Sequence, residues 1–130
     1  SWGSSSDAEN YLRSRKLFSK WDSEVLELYI RHGMTANQDG GLCLRCSPRK
    51  EASLFMGGNA KDPWPLLSEI KCPVLVIEGG ESENRSYIDL KYAASLFPQG
   101  RYIEVPGAGH LVPMEQPDAV YKIISDFFVI

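Results

Sequence analysis

A continuous apolar run, Pro73-Val74-Leu75-Val76-Ile77, closing on Gly79-Gly80, limits most strongly what this chain can fold into. An unbroken stretch rich in β-branched side chains fits a strand buried on both faces, as in a parallel sheet. A parallel partner requires a long crossover rather than a hairpin. Tyr87 to Phe97 supplies one, with Ile88, Leu90, Ala93, Ala94 and Leu96 available for packing, and Pro98-Gln99-Gly100 stops it. Arg101 to Val105 then returns as a second strand, carried by Tyr102, Ile103 and Val105. Residues 73–105 therefore read as strand–helix–strand, a unit that crosses over right-handedly in nearly all proteins. The fold class expected is α/β.

The second strand is broken by Pro106-Gly107-Ala108-Gly109, whose glycines permit the positive φ of a tight reversal. His110 stands at the tip. Gln116-Pro117-Asp118 follows, with Pro117 suited to a first helical position. Val120, Ile123, Ile124, Phe127 and Phe128 then recur at helical spacing. A histidine raised on a glycine turn, between a strand end and a helix start, is placed to work in a cleft at a sheet edge. The plainer reading is a satisfied loop histidine.

The front of the chain is of another kind. Ser1 to Asn10 reads as a frayed polar entry, and Tyr11 to Phe18 as a short basic helix. Asp22 caps a helix in which Val25, Leu26, Tyr29 and Ile30 form the apolar stripe and Gly33 the close. A turn cluster spans residues 37–41, Leu42 to Cys46 alternates like an extended piece, and Pro48 to Phe55 reads as a second helix. Gly57-Gly58-Asn59 and Asp62-Pro63-Trp64-Pro65 form an irregular connection, in which the prolines should hold the chain extended. The composition shift near residues 64–70 marks a boundary between a mostly helical front and an α/β back.

Bulk properties remove whole classes of function. A net charge of −3 gives no reason to expect nucleic acid as a partner. No apolar run approaches the roughly 18 residues of a membrane span. Three cysteines argue against a disulfide framework and fit a reducing compartment. With no signal-peptide pattern and no C-terminal targeting tripeptide, an intracellular setting, cytoplasmic or peroxisomal, is the expectation.

Other chemistry-bearing residues have simple readings. His32, near a helix C-terminus, fits a dipole partner. Cys43 and Cys46 form a C-x-x-C that Cys72 and His32 could complete as zinc ligands, but there is no second C-x-x-C. A strand would also turn the two thiols to opposite faces, so small buried hydrophobes are the default and no metal is expected. Glu81, Glu83 and Asp89 read as solvated loop and helix-start charges. Trp64 reads as a packing anchor. Met34, Phe55 and Met56 read as packing residues, with an acyl pocket the alternative if the front is a cap.

The run Pro73–Ile77 with Gly79, followed by Gly107-x-Gly109-His110-x₄-Glu115-x-Pro117, resembles the last third of an α/β-hydrolase, where the seventh and eighth strands end in this way. The Trp21–Gly33 run and the Leu42–Pro48 piece resemble the cap of a fungal branch containing toxin-biosynthesis hydrolases and peroxisomal lipase-like proteins. The resemblance implies a helical cap remnant and linker over residues 1–68 and a C-terminal core over 69–130. It gives His110 the role of general base, and Glu115 and Pro117 a structural role at the last helix. It implies hydrolysis of an ester or thioester of a small hydrophobic substrate, with no cofactor. An epoxide hydrolase segment and a non-catalytic hydrolase-fold binding module are the alternatives.

This sequence departs from the family in one decisive respect. No serine has glycines at both flanking positions of a G-x-S-x-G elbow, and the oxyanion-hole segment is missing too. The chain alone is therefore expected to be inactive. Ser82 stands where many members place the triad acid. Glu81 or Glu83 could supply that carboxylate, Glu83 leading, or the acid could lie upstream after strand six, as the fungal branch suggests. A two-stranded remnant would also leave a sheet edge open to self-association.

Overall fold

A computed structural model of the chain describes residues 1–56 and 62–128. They fall into two compact units that divide between residues 60 and 61.

The first unit opens with helix α1 (Ser5–Arg13), where a frayed entry is expected from the sequence. The difference is a cap. Ser4 Oγ accepts the backbone N–H of Asp7, and Ala8 and Leu12 are buried, so the polar start is anchored by its fourth and eighth residues. Arg13 ends the helix, and its guanidinium donates to the Trp21 carbonyl at 2.5 Å and to Ser23 Oγ at 3.1 Å. Helix α2 (Ser23–Gly33) starts on Asp22, whose carboxylate accepts the N–H groups of Glu24 and Val25, and it buries Leu26 and Ile30. Tyr29 on the same face meets Phe18 and Trp21 with ring centroids 5.6 and 5.4 Å apart.

Strands β1 (Met34–Ala36) and β2 (Leu42–Leu44) then form an antiparallel hairpin closed by Gly40, whose φ of +79° suits glycine. The first of these strands has no periodic signal, being only three residues long. Helix α3 (Pro48–Met56) follows. Its Phe55 and Met56 are 81% and 82% exposed, against the expectation that they pack, whereas Met34 is buried. Cys46 and Cys72 are exposed and Cys43 half-buried, so the expected set of buried small hydrophobes does not form. Asp22 caps α2 as read, and the helix ends at Gly33, although extended Met34 rather than a left-handed glycine is its cap; His32 lies exposed in the last turn.

In the second unit the link after residue 62 is not extended. Trp64–Glu69 forms a 3-10 turn, because Pro63 adopts right-handed helical torsions and Pro65 sits in the first turn, where a missing N–H is harmless. Trp64 anchors it by stacking on Tyr92, centroids 6.0 Å apart. Gly57-Gly58-Asn59 lie outside the described residues.

Strand β3 (Val74–Gly79) pairs in parallel with β4 (Gly100–Val105), from Val74 opposite Gly100 to Gly79 opposite Val105. The crossover is shorter than its apolar spacing implies. Helix α4 (Leu90–Leu96) is capped by Asp89, so Tyr87 and Ile88 precede it and remain exposed, while Ala93 and Ala94 are buried. The expectation that β3 is buried on both faces also fails. Val74 to Ile77 are half-buried and only Glu78 and Gly79 are fully covered, because two strands and short helices cannot enclose both faces.

The core gathers at the C-terminal end of the strands. Val105, Ala108, Val112 and Val120 are buried together, with Ile77, Ala119 and Ile123 against them. Val112 and Val120 come from helices α5 (Val112–Glu115) and α6 (Pro117–Phe128). Among the described residues no helix is long and apolar enough to cross a membrane.

Candidate functional site

The strand ends and the loop after β4 are built as one piece. Gly80 N–H donates to the Val105 carbonyl and Glu81 N–H to the Ala108 carbonyl, each at 2.9 Å, so pairing continues past both strands. This approach leaves no space at residue 79. A Cβ there would lie 1.9 Å from the Gly109 carbonyl oxygen and 2.5 Å from that of Ala108. Gly107, at φ +74°, makes the reversal.

Two side chains from the next helices secure the reversal. Glu115 Oε2 accepts the Gly109 N–H at 2.7 Å, and Gln116 Nε2 donates to the Pro106 carbonyl at 3.0 Å. Glu115, given a structural role from the sequence, thus holds the backbone beside His110. The exposed imidazole stands past the C-terminal end of β4.

Opposite it runs a turn leaving β3. Ser82 is buried at 7% exposure and opens a 3-10 turn, Glu83–Ser86, by accepting the Asn84 N–H at 3.3 Å. Ser82 Oγ lies 3.4 Å from His110 Nδ1, and Asn84 Nδ2 lies 3.2 Å from His110 Nε2. Both ring nitrogens therefore have a neutral partner. Glu83 begins the same turn and is exposed, Glu81 is exposed beside it, and Asp89 serves as the α4 cap. Asn84 carries no sequence signal of its own, since a contact spanning 26 residues between two loops has no periodicity to betray it.

Beneath the turn lies a charged cluster. Glu78 and Glu104 are register partners on neighbouring strands. Arg85 reaches across both, at 3.8 Å from Glu78 Oε2 and 2.6 Å from Glu104 Oε2. Hydrogen bonding to Glu104 is the main cause that raises the Arg85 pKa further. Tyr102 donates its hydroxyl to buried Glu78 at 2.5 Å. Desolvation, then that bond, pushes the Tyr102 pKa up to about 12.

A parallel strand pair ending in a glycine-turn histidine, with a polar turn set against its ring, superposes with nearly the whole chain on solved α/β-hydrolases. This is an α/β-hydrolase fold. No protein-family model matches the chain. Among curated proteins it is similar to the abhydrolase domain-containing protein AKT2 of Alternaria alternata, at 28% identity over a gapped alignment 162 positions long, covering 97% of this chain and 61% of that protein. Among solved structures it is similar to E-2-(acetamidomethylene)succinate hydrolase, with TM-score 0.83 and 26% identity, covering 99% of this chain and 47% of the other. The peroxisomal alpha-beta-hydrolase Lpx1 of Saccharomyces cerevisiae shares the fold at TM-score 0.76 and 18% identity, covering 98% of this chain and 35% of the other. The chain thus spans about a third to three-fifths of the length of these relatives.

Among the described residues no group of three or more His, Cys, Asp or Glu side chains is arranged to hold an ion.

Proposed function

We propose that this chain is the C-terminal segment of an α/β-hydrolase that cleaves ester or thioester bonds of a small hydrophobic substrate, and that it supplies the catalytic histidine, His110. Residues 1–68 act as the cap remnant and 69–130 as the core segment. The observation that carries the reading is His110 on a braced glycine turn at the C-terminal end of two parallel strands, where open α/β sheets bind ligands. The similar solved structure named as a hydrolase of E-2-(acetamidomethylene)succinate supports hydrolysis in general, not the ester or thioester. In the complete protein a nucleophile from outside this sequence attacks the carbonyl. His110 takes its proton and returns it to the leaving group. The orienting carboxylate comes from Glu83 or from upstream of this chain. The open edges of the two-stranded sheet give the isolated chain a surface for self-association.

A non-catalytic hydrolase-fold module is favoured by one observation: the side chains on the imidazole, Ser82 and Asn84, are both neutral. Turnover of p-nitrophenyl esters and acyl thioesters separates the two. The isolated chain should not exceed its own His110→Ala variant. The product of the complete reading frame should lose at least about 10²-fold in kcat on His110→Ala, the lower bound for general-base catalysis. In the same protein Glu83→Gln locates the acid: a loss of several orders of magnitude places it here, and near-normal activity places it upstream. Absence of turnover by the complete wild-type protein would establish the module, and undiminished turnover by His110→Ala would remove His110 as the base.

A further inference from the structure

The turn set against His110 has a chemical logic beyond holding a loop. An amide Nδ2 only donates, so His110 Nε2, 3.2 Å away, must accept from Asn84. A neutral imidazole whose Nε2 accepts carries its proton on Nδ1. Nδ1 faces Ser82 Oγ at 3.4 Å, and that oxygen also accepts the Asn84 backbone N–H at 3.3 Å. A hydroxyl has two lone pairs, so both donors are served.

The turn is fastened on every side. Ser82 N–H donates to the Gly79 carbonyl at 3.0 Å and Glu81 N–H to the Ala108 carbonyl at 2.9 Å. Arg85 Nη1 binds Glu104 on β4 at 2.6 Å and approaches Glu78 on β3, whose Oε2 also takes the Tyr102 hydroxyl. Asn84 is therefore carried on a support tied to both strands and to the histidine loop itself.

We propose that Ser82 and Asn84 are positioning residues that hold His110 in its Nδ1-protonated tautomer, with Asn84 selecting the tautomer and Arg85 fastening the turn that carries it. This rests on the reading of His110 as general base, and it gives that reading a specific state. The Nε2 lone pair is the one left unprotonated, occupied here by the Asn84 amide, which a reacting hydroxyl displaces. Ser82 Oγ accepts the Nδ1–H hydrogen bond without a formal charge, so in this chain the ring is oriented by a buried hydroxyl, which an orienting carboxylate in the complete protein would share or replace.

Free histidine in water prefers its proton on Nε2, so the holder has to work against the intrinsic preference, and that makes it readable. Two-bond ¹H–¹⁵N correlation spectra of the 130-residue chain, recorded above neutral pH, report the tautomer of each histidine. His32, exposed at the end of α2, is the internal reference. His110 should show a protonated Nδ1 and an accepting Nε2, opposite to His32. Asn84→Ala should shift the His110 tautomer ratio several-fold toward Nε2–H. Asn84→Asp, whose carboxylate only accepts, should reverse it. Ser82→Ala should erode the Nδ1–H form and Ser82→Thr, which keeps the hydroxyl, should restore it. Asn84 is exposed, so its variants should keep the dispersed amide spectrum of the folded chain.

A wild-type His110 with its proton on Nε2, or a ratio unmoved by Asn84→Ala, would overturn the proposal. This outcome is independent of turnover. If His110→Ala abolishes activity in the complete protein while the wild-type tautomer is Nε2–H, the holder alone is wrong. If the tautomer is as expected but His110→Ala keeps full turnover, the base assignment falls and the holder stands as a structural device.

Discussion

Glu115→Ala tests whether the histidine loop is braced or merely passes by. Glu115 Oε2 is 2.7 Å from the Gly109 nitrogen, a short charge-assisted bond to the residue just before His110. Bonds to charged groups contribute about 1.5–3 kcal/mol net, and the half-buried setting of Glu115 lets water compete, so about 1–2 kcal/mol is the expected loss. Alanine is the better helix former, so weaker helix propensity in α5 cannot be the source of a loss. A domain of 60–100 residues moves roughly 4–8 °C in Tm per kcal/mol, so the unit containing residue 115 should melt at least about 4 °C lower. Amide exchange makes the effect local. An opening made easier by about 1–2 kcal/mol accelerates Gly109 exchange roughly 5–30-fold. Glu115→Gln keeps an acceptor oxygen without the charge and should lose about half as much. A Tm within a degree of wild type, together with an unchanged Gly109 exchange rate, would refute the brace.

Gly79→Ala places a methyl group against two backbone carbonyls, neither of which can rotate away, and should destabilise by about 3 kcal/mol, the upper part of the usual overpacking range. Gly80→Ala meets the flexible end of Glu104 at 3.1 Å instead and should stay within about 1 kcal/mol in urea unfolding; equal losses at the two positions would contradict the close approach. Tyr102, raised to about 12 by burial and its bond to Glu78, gives stability that is fully present below the ordinary tyrosine value near 10 and lost as pH climbs through about 12. Phenolate absorbance of wild type minus Tyr102→Phe should show that late step, and the subtraction removes Tyr29, which burial also raises; a difference curve centred near 10 would sink the claim.

Where the sequence was legible, a physical constraint acted within a few residues. The apolar run at 73–77 and the strand at 101–105 needed only composition and a breaker, and both strands formed in parallel. Asp22, Pro117 and Gly107 act through their own side-chain or backbone chemistry, so each could be assigned alone. Errors arose where a distant partner outweighed the local signal. Ser4 turned a polar entry into a helix by capping it, and Ala8 and Leu12 found a core that the surrounding charges concealed. The Pro63–Pro65 stretch curled, because proline fixes φ near a value shared by extended and 3-10 conformations and leaves ψ to the surroundings.

The candidate site divides along the same line. His110 is visible because a glycine turn between strand and helix is a local pattern with a known use. Of its partners, Ser82 is placed only by the family resemblance and Asn84 not at all, because both reach it through the parallel register that brings the two strand ends together. Glu78 shows the difference most clearly. In the sequence it is a charge ending an apolar run, which argues for exposure, yet it is 6% exposed. A buried carboxylate is tolerable only with donors aimed at it, and Tyr102 and Arg85 provide them from the neighbouring strand and the following turn. That requirement runs in both directions. The carboxylates of Glu78 and Glu104 fix where Arg85 must lie, Arg85 fixes the turn, and the turn sets Asn84 on the imidazole. A charge inside the sheet is thereby linked to the contacts on His110 through residues that no sequence spacing connects.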